Sequence, residues 1–326
     1  MRNVKNMLLA NPRSEGRWRT LTNKLGLLIA VMALMAFFWI QNANFCSPYN
    51  LTNIGRQAVT LGLLALGETY VLVGSGVDLS VGGIMNLTSV TVALVLLETN
   101  SLAAAILAGL FVGFLMGALN GFIVSYLNVQ AFAATLGSTS IASGAALLLC
   151  NGNSVRGLPD SLLVIANESF LGIPNQIWIL ILTIGILHIL LQYTAFGQSC
   201  YAVGGNTQAS LLSGISAKRV RMVTFIISGL CAALSAIIAS SRVGSGNPVI
   251  GGDMQLRAIA ATVIGGASMR GGMGSVPGTV IGVIFISVLY SGMNFMGITS
   301  YVQDVLIGCI IVASAWIDVA RRKKNG

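Results

Sequence analysis

Residues 61–98 run LGLLALGETYVLVGSGVDLSVGGIMNLTSVTVALVLLE. Two apolar stretches, each near the ~20 residues needed to cross a bilayer core, flank Gly74–Gly83, which holds four glycines, two serines and Asp78. Non-helical backbone at membrane depth survives only where protein or a water-filled cavity satisfies it, and such breaks often mark a transport pathway. The plainer reading is a tight turn in which Asp78 caps the next helix; the two readings can coexist.

Outward from this stretch the same texture continues. Of 326 residues, 55% are hydrophobic and 8% charged, against about a quarter charged in an ordinary soluble domain. So little charge cannot cover a water-facing surface, and the class is a polytopic membrane protein. Apolar segments fall at about 25–42, 54–74, 84–98, 101–127, 131–150, 177–194, 222–241, 256–271, 277–294 and 299–317. The expected architecture is therefore an all-α transmembrane bundle of about ten helices, some broken or re-entrant. The basic start followed by an apolar stretch imitates a signal peptide. Without a small-residue cleavage site, 25–40 is read as the first transmembrane helix.

The formal charge of +9 is concentrated rather than spread. Six basic residues lie in 1–24, three at Lys218, Arg219 and Arg221, and four at Arg321–Lys324. Ten spans put both termini on one side. If that side is the cytoplasm, all three clusters fall there, as the positive-inside rule requires. This excludes a nucleic-acid patch and divides the chain into a basic segment 1–24, one transmembrane domain 25–318 containing a cytoplasmic loop 195–221, and a basic tail 319–326.

Glycines recur every fourth residue at Gly109, Gly113, Gly117 and Gly121, and again at Gly274, Gly278 and Gly282. In lipid, close backbone approach across small residues is a main source of packing energy. Packing within the chain is expected over a dimer interface. Loop 151–176 is expected to carry a short interfacial helix from Ser161 to Leu171. Loop 242–255 has turn chemistry throughout and should face outward with it.

Enzyme chemistry is missing. No GxxxxGK[ST] phosphate loop occurs, the five cysteines form no CxxC pair, and the single histidine, His188, lies in an apolar span. No metal site is expected. Ionisable residues near the membrane are Glu68, Asp78, Arg257, Arg270 and Asp304. So few deep carboxylates give thin support to an ion-coupled secondary transporter, the main alternative; a membrane scaffold or receptor is the second.

The segment SGVDLSVGG resembles the G-[IV]-D-L-S-V-G pattern of monosaccharide ABC importer permeases, membrane components of the branched-chain-amino-acid and ribose type. Further matching pieces follow in order: Asn120-Gly121, Ala134–Gly137, Ala202–Asn206 with Ser213–Ile215, Ala258–Gly266, Gly271–Ser275 and Gly297–Tyr301. Each is weak alone, and together they span nearly the whole chain.

The resemblance implies a permease in the bacterial cytoplasmic (inner) membrane. It would work with a second permease subunit, a cytoplasmic ATPase that carries ATP and magnesium, and a periplasmic or extracellular solute-binding protein; this chain would bind no cofactor. A coupling helix for the ATPase would lie in Asn206, Thr207, Gln208, Ala209, Ser210, Leu211, Leu212, Ser213, Gly214 and Ile215. The binding protein would meet Arg156, Asp160, Glu168, Arg242 and Asp253. A weakly binding, polar-lined passage for a monosaccharide or sugar-like solute would run near Glu68, Asp78, Ser80, Asn86, Asn120, Thr135 and Ser138. Asparagine and serine in such positions also serve as interhelical hydrogen-bonding glue.

Overall fold

The computed structural model describes residues 12–323; Arg2, Lys5 and Lys324 of the expected basic ends lie outside them. Thirteen helices follow: α1 (Pro12–Gln41), α2 (Pro48–Val73), α3 (Val81–Thr99), α4 (Leu102–Ser125), α5 (Ala131–Leu149), α6 (Asp160–Asn167), α7 (Asn175–Tyr193), α8 (Ala195–Gly205), α9 (Thr207–Leu212), α10 (Ala217–Val243), α11 (Met254–Ile264), α12 (Val276–Phe295) and α13 (Ser300–Lys323). Each of the ten expected apolar segments falls on one of them. By length and apolar composition, α3, α4, α5, α7, α10 and α12 can cross a membrane. The apolar parts of α1, α11 and α13 are shorter.

Local chemistry sets the boundaries. Ser47 caps α2, its hydroxyl accepting from Asn50 N–H at 3.3 Å, and Pro48 opens the helix where its missing N–H costs nothing. Ser275 caps α12 in the same way, ahead of Pro277. The expected segment 256–271 is too long. Helix α11 ends at Ile264 because Gly265 and Gly266 break it, Gly266 at φ +95°, in the left-handed region that only glycine enters freely.

The outer-loop expectation is sharpened in the same manner. The helix covers Asp160–Asn167, not Ser161–Leu171, and the chain then turns back in a hairpin pairing β1 (Ser169–Phe170) with β2 (Ile173–Pro174). Gly82 and Gly83 also differ from expectation. They belong to α3 rather than to the break, because close packing is what they supply: a Cβ on Gly83 would stand 2.7 Å from the Thr139 carbonyl oxygen.

Helix α10 lies at the centre and packs most extensively on α4, then on α2 and α3. The first glycine stripe makes the α4 contact. A Cβ on Gly117 would stand 2.5 Å from Phe225 O, and one on Gly121 2.9 Å from Met222 Cα, both on α10. Gly278 and Gly282 bring α12 against the backbone of Gly265 and Ala261. Both stripes are thus consumed inside the chain. Residues 59–73 of α2 are buried without exception, so that helix is enclosed on every side and any polar group on it must find a partner within the protein.

Candidate functional site

Two polar regions sit inside this apolar bundle. The first is built on the break between α2 and α3, residues 74–80. Glu68, nearly one and a half turns before the end of α2, accepts Asp78 N–H at 3.2 Å. Asp78 Oδ1 accepts Ser80 N–H at 2.9 Å and Ser80 Oγ–H at 2.5 Å. The aspartate, two residues ahead of the α3 N-cap Ser80, therefore secures the turn into that helix. Asn120 on α4 donates to Ser80 Oγ at 2.7 Å and accepts from Ser138 on α5. Thr135 Oγ1 reaches Val77 O at 3.4 Å, and Thr139 Oγ1 donates to Leu79 O at 2.7 Å.

Six of the seven expected passage residues thus meet in one knot binding α2, α3, α4 and α5. All six are buried, with Glu68 and Asp78 at 0% exposure. Asn86 stands apart, donating to Ser143 Oγ at 3.0 Å and accepting Gly251 N–H at 2.7 Å. Glu68 Oε2 and Asp78 Oδ2 have no hydrogen-bond partner.

At its far side the break is tied to a helical arm. Ser75 Oγ donates to Arg270 O at 2.8 Å, and Gly272 N–H donates to Val73 O at 2.9 Å. Arg221, at the start of α10, donates through Nε to Gly74 O at 3.4 Å and through Nη2 to Thr207 Oγ1 on α9 at 3.0 Å. Helix α9 covers the expected Thr207–Leu212; Asn206 caps it through Ala209 N–H at 3.0 Å, and Gly214, at φ +79°, follows it. Leu211 and Leu212 stand outward, Leu212 91% exposed. An apolar knob this exposed on a short polar arm is suited to a groove on another protein.

The opposite end of the bundle carries α6. Arg156, Asp160, Glu168, Arg242 and Asp253 are all exposed there. A backbone bridge between Val155 and Gly246 holds the two loops together. Asp253 is partly engaged, pairing with Arg257 at 3.1 Å.

The second polar region opens at this end, between α2, α10, α11 and α12, as a cavity of about 630 Å³. Its rim carries Asn53, Arg56, Gln57, Arg242 and Asn294, and its deeper wall Thr60, Leu61, Ile286, Ser287 and Tyr290. Arg257 lies over the Tyr290 ring at 4.2 Å and also pairs with Asp304 at 3.5 Å. Thr60 Oγ1, Ser287 Oγ, Tyr290 Oη, Arg56 Nε and Arg257 Nε are buried without a hydrogen-bond partner. None of the seven expected passage residues lines this cavity. Sequence reasoning flagged only Arg242 and Arg257 of its wall, by their charge; the hydroxyls carry no local signal. Among the described residues no three His, Cys, Asp or Glu side chains gather to hold a metal.

The family model for the branched-chain amino acid transport system permease component matches residues 50–315, from the start of α2 to within α13. The chain belongs to this permease family. The permease is 37% identical over 304 residues to a ribose import permease of Bacillus subtilis (strain 168), covering 93% of this chain and 94% of that one. To a ribose import permease of Escherichia coli (strain K12) it is 35% identical over 296 residues, 89% of this chain and 92% of the relative. To an L-arabinose transport permease of the same strain it is 31% identical over 312 residues, 96% and 95%. No solved structure matches the permease. Both polar regions, and α9, lie within the span matched to the family.

Proposed function

We propose that this permease is the translocation subunit of a binding-protein-dependent ABC importer for a monosaccharide or a close relative of one. The observation that carries this reading is the likeness to ribose import permeases along nearly the full length of both chains. In it, ten helices cross the bacterial cytoplasmic membrane and both termini are cytoplasmic. Lys218, Arg219 and Arg221 support that orientation, since they lie beside α9 at one end of the bundle. The α6 end then faces outward and receives the solute-binding protein through its five exposed charges.

Helix α9 docks in a groove of the partner ATPase, which holds ATP and magnesium; a second permease subunit completes the pathway. Arg221 supplies the mechanical link. It bonds both α9 and Gly74 at the start of the break, so displacement of α9 by the ATPase pulls on residues 74–80. The seven residues from Glu68 to Ser138 then become the inner lining of the passage as the knot loosens.

Purification in mild detergent with identification of co-purifying proteins tests the reading. An ATPase whose hydrolysis rises with one sugar-loaded binding protein is expected. A chain that purifies alone and moves solute into ATP-free liposomes on an ion gradient overturns it in favour of a secondary transporter.

A further inference from the structure

The cavity between α2, α10, α11 and α12 differs from everything around it. Many buried polar groups around it are paired, as Ser89 with Ser240 at 2.7 Å, Thr69 with Thr279 at 2.7 Å, and Ser235 with Thr60 O at 2.9 Å; the unpaired hydroxyls of Thr88 and Ser125 lie outside the cavity lining. In the cavity wall three hydroxyls, Thr60, Ser287 and Tyr290, each 6% exposed or less, have no partner. An unmet buried hydroxyl costs about 1–3 kcal/mol, so three facing one cavity form a site built for something that brings its own hydrogen bonds. Thr60 is 12 residues in from Pro48, about 18 Å along the helix, so the wall reaches well inside the bundle. An apolar cluster including Leu64, Ala65, Met85, Ala261 and Val283 is packed around Leu61 and Ile286 of that wall.

The chemistry of the wall selects the ligand. Hydroxyls donate and accept, and each matches a hydroxyl on a solute. One cation of the lining, Arg257, is already paired with Asp253 at 3.1 Å and Asp304 at 3.5 Å and lies on the Tyr290 ring. Arg56 and Arg242 also line the cavity and have no carboxylate partner among the described residues, so selection comes from the hydroxyls rather than from charge. Leu61 and Ile286 offer apolar surface to the C–H face of a ring. The volume, about 630 Å³, is within the range of small-molecule sites, roughly 300–1,000 Å³.

We propose that this cavity is the first station of the solute within the permease, and that it takes a hydroxyl-rich ring held by Thr60, Ser287 and Tyr290. The proposal rests on the importer reading above and adds to it the place of the solute and the hydroxyls that hold it. Arg56 and Arg242, at the rim, face whatever delivers it. The station is weak by design: a permease that received solute from a high-affinity carrier and held it as tightly would not release it.

The test uses the full-length permease in lipid nanodiscs, with Ser287→Cys introduced and Cys46, Cys150 and Cys309 replaced by serine; Cys200 and Cys231 are buried and stay. The labelling rate by a small water-soluble thiosulfonate is followed with D-ribose, L-arabinose, D-allose or sodium gluconate, each at about 100 mM. For a Kd of about 10 mM, occupancy slows labelling roughly tenfold. The expected result is that at least one neutral sugar slows Ser287→Cys and gluconate does not. Asn153→Cys, exposed in a loop at the same end, should be slowed by none of them. Absence of labelling at Ser287→Cys, no slowing by any sugar, or slowing by gluconate alone overturns the proposal. Uptake of the same three sugars by the importer assembled with its partners is measured in parallel. Uptake without protection overturns the station alone, while absence of all uptake overturns the importer reading beneath it.

Discussion

The knot at the α2–α3 break and the cavity at the α6 end use the same side chains to opposite ends. In the knot, Ser138, Asn120, Ser80 and Asp78 hand hydrogen bonds from one to the next, so that every hydroxyl and amide in that series is engaged. In the cavity, Thr60, Ser287 and Tyr290 stand beside one another with their hydroxyls unmet. Polar content within a membrane bundle therefore does not separate glue from passage. The pairing of their hydroxyls does, because hydroxyls bonded across helices fix a conformation while unmet ones gathered at one cavity invite a ligand.

Breaking the knot should have the largest effect. Asn120→Leu removes two interhelical bonds and leaves the Ser138 hydroxyl without its acceptor, at a cost of about 2–3 kcal/mol. Folded yield in detergent and Tm should both fall. Next comes Arg221→Gln, which keeps a donor but loses the reach from α9 to Gly74. Here uptake should drop about tenfold, a coupling loss near 1.4 kcal/mol, while the assembled ATPase continues to hydrolyse ATP. Hydrolysis that falls in step with uptake would remove Arg221 from the link.

The cavity should respond in the reverse sense. Ser287→Ala deletes a hydroxyl that has no protein partner, so stability should move by no more than about 0.5 kcal/mol. The KM for uptake should rise roughly fivefold, the value of one hydrogen bond near 1 kcal/mol. A loss of stability with an unchanged KM would erase the distinction between the two regions.

The smallest effect is expected at Cys200 on α8, which packs with Tyr70 and Val203 in an apolar cluster. Burial pushes its thiol up to about 12. The protonated form is thus favoured in the fold, a contribution present below the ordinary thiol range and lost as pH rises toward 12. Alkylation at pH 8 should fail on the native permease and succeed once it is denatured.

Much of the fold was legible because bilayer physics writes it in simple terms. Ten apolar segments fall on ten helices, Asn206 and Gly214 bracket α9, and the four-residue glycine rhythm announces the α4–α10 contact. The knot was legible in its members but not in their pairing. The asparagines and serines were visible, whereas the partners of Asn120 lie 18 and 40 residues away. The cavity was the least legible part. Its hydroxyls come from residues 60, 287 and 290, on helices far apart in sequence, and each alone looks like ordinary packing. The length of α11 was misjudged because the expected segment was carried past Gly265 and Gly266, which end the helix.

The glycine seam between α4 and α10 bears on how the permease is made. Synthesis runs from the N-terminus, so α4 enters the membrane before its counterpart exists. Five further helices, α5 to α9, must follow before α10 begins at Ala217, an interval on the order of 10 s at ribosomal speed. During that interval the seam of α4 is filled by lipid or by the insertion machinery. The central joint of the mature bundle is thus sealed late in biogenesis, and a chain stalled before α10 presents a bare glycine groove that membrane quality control can recognise.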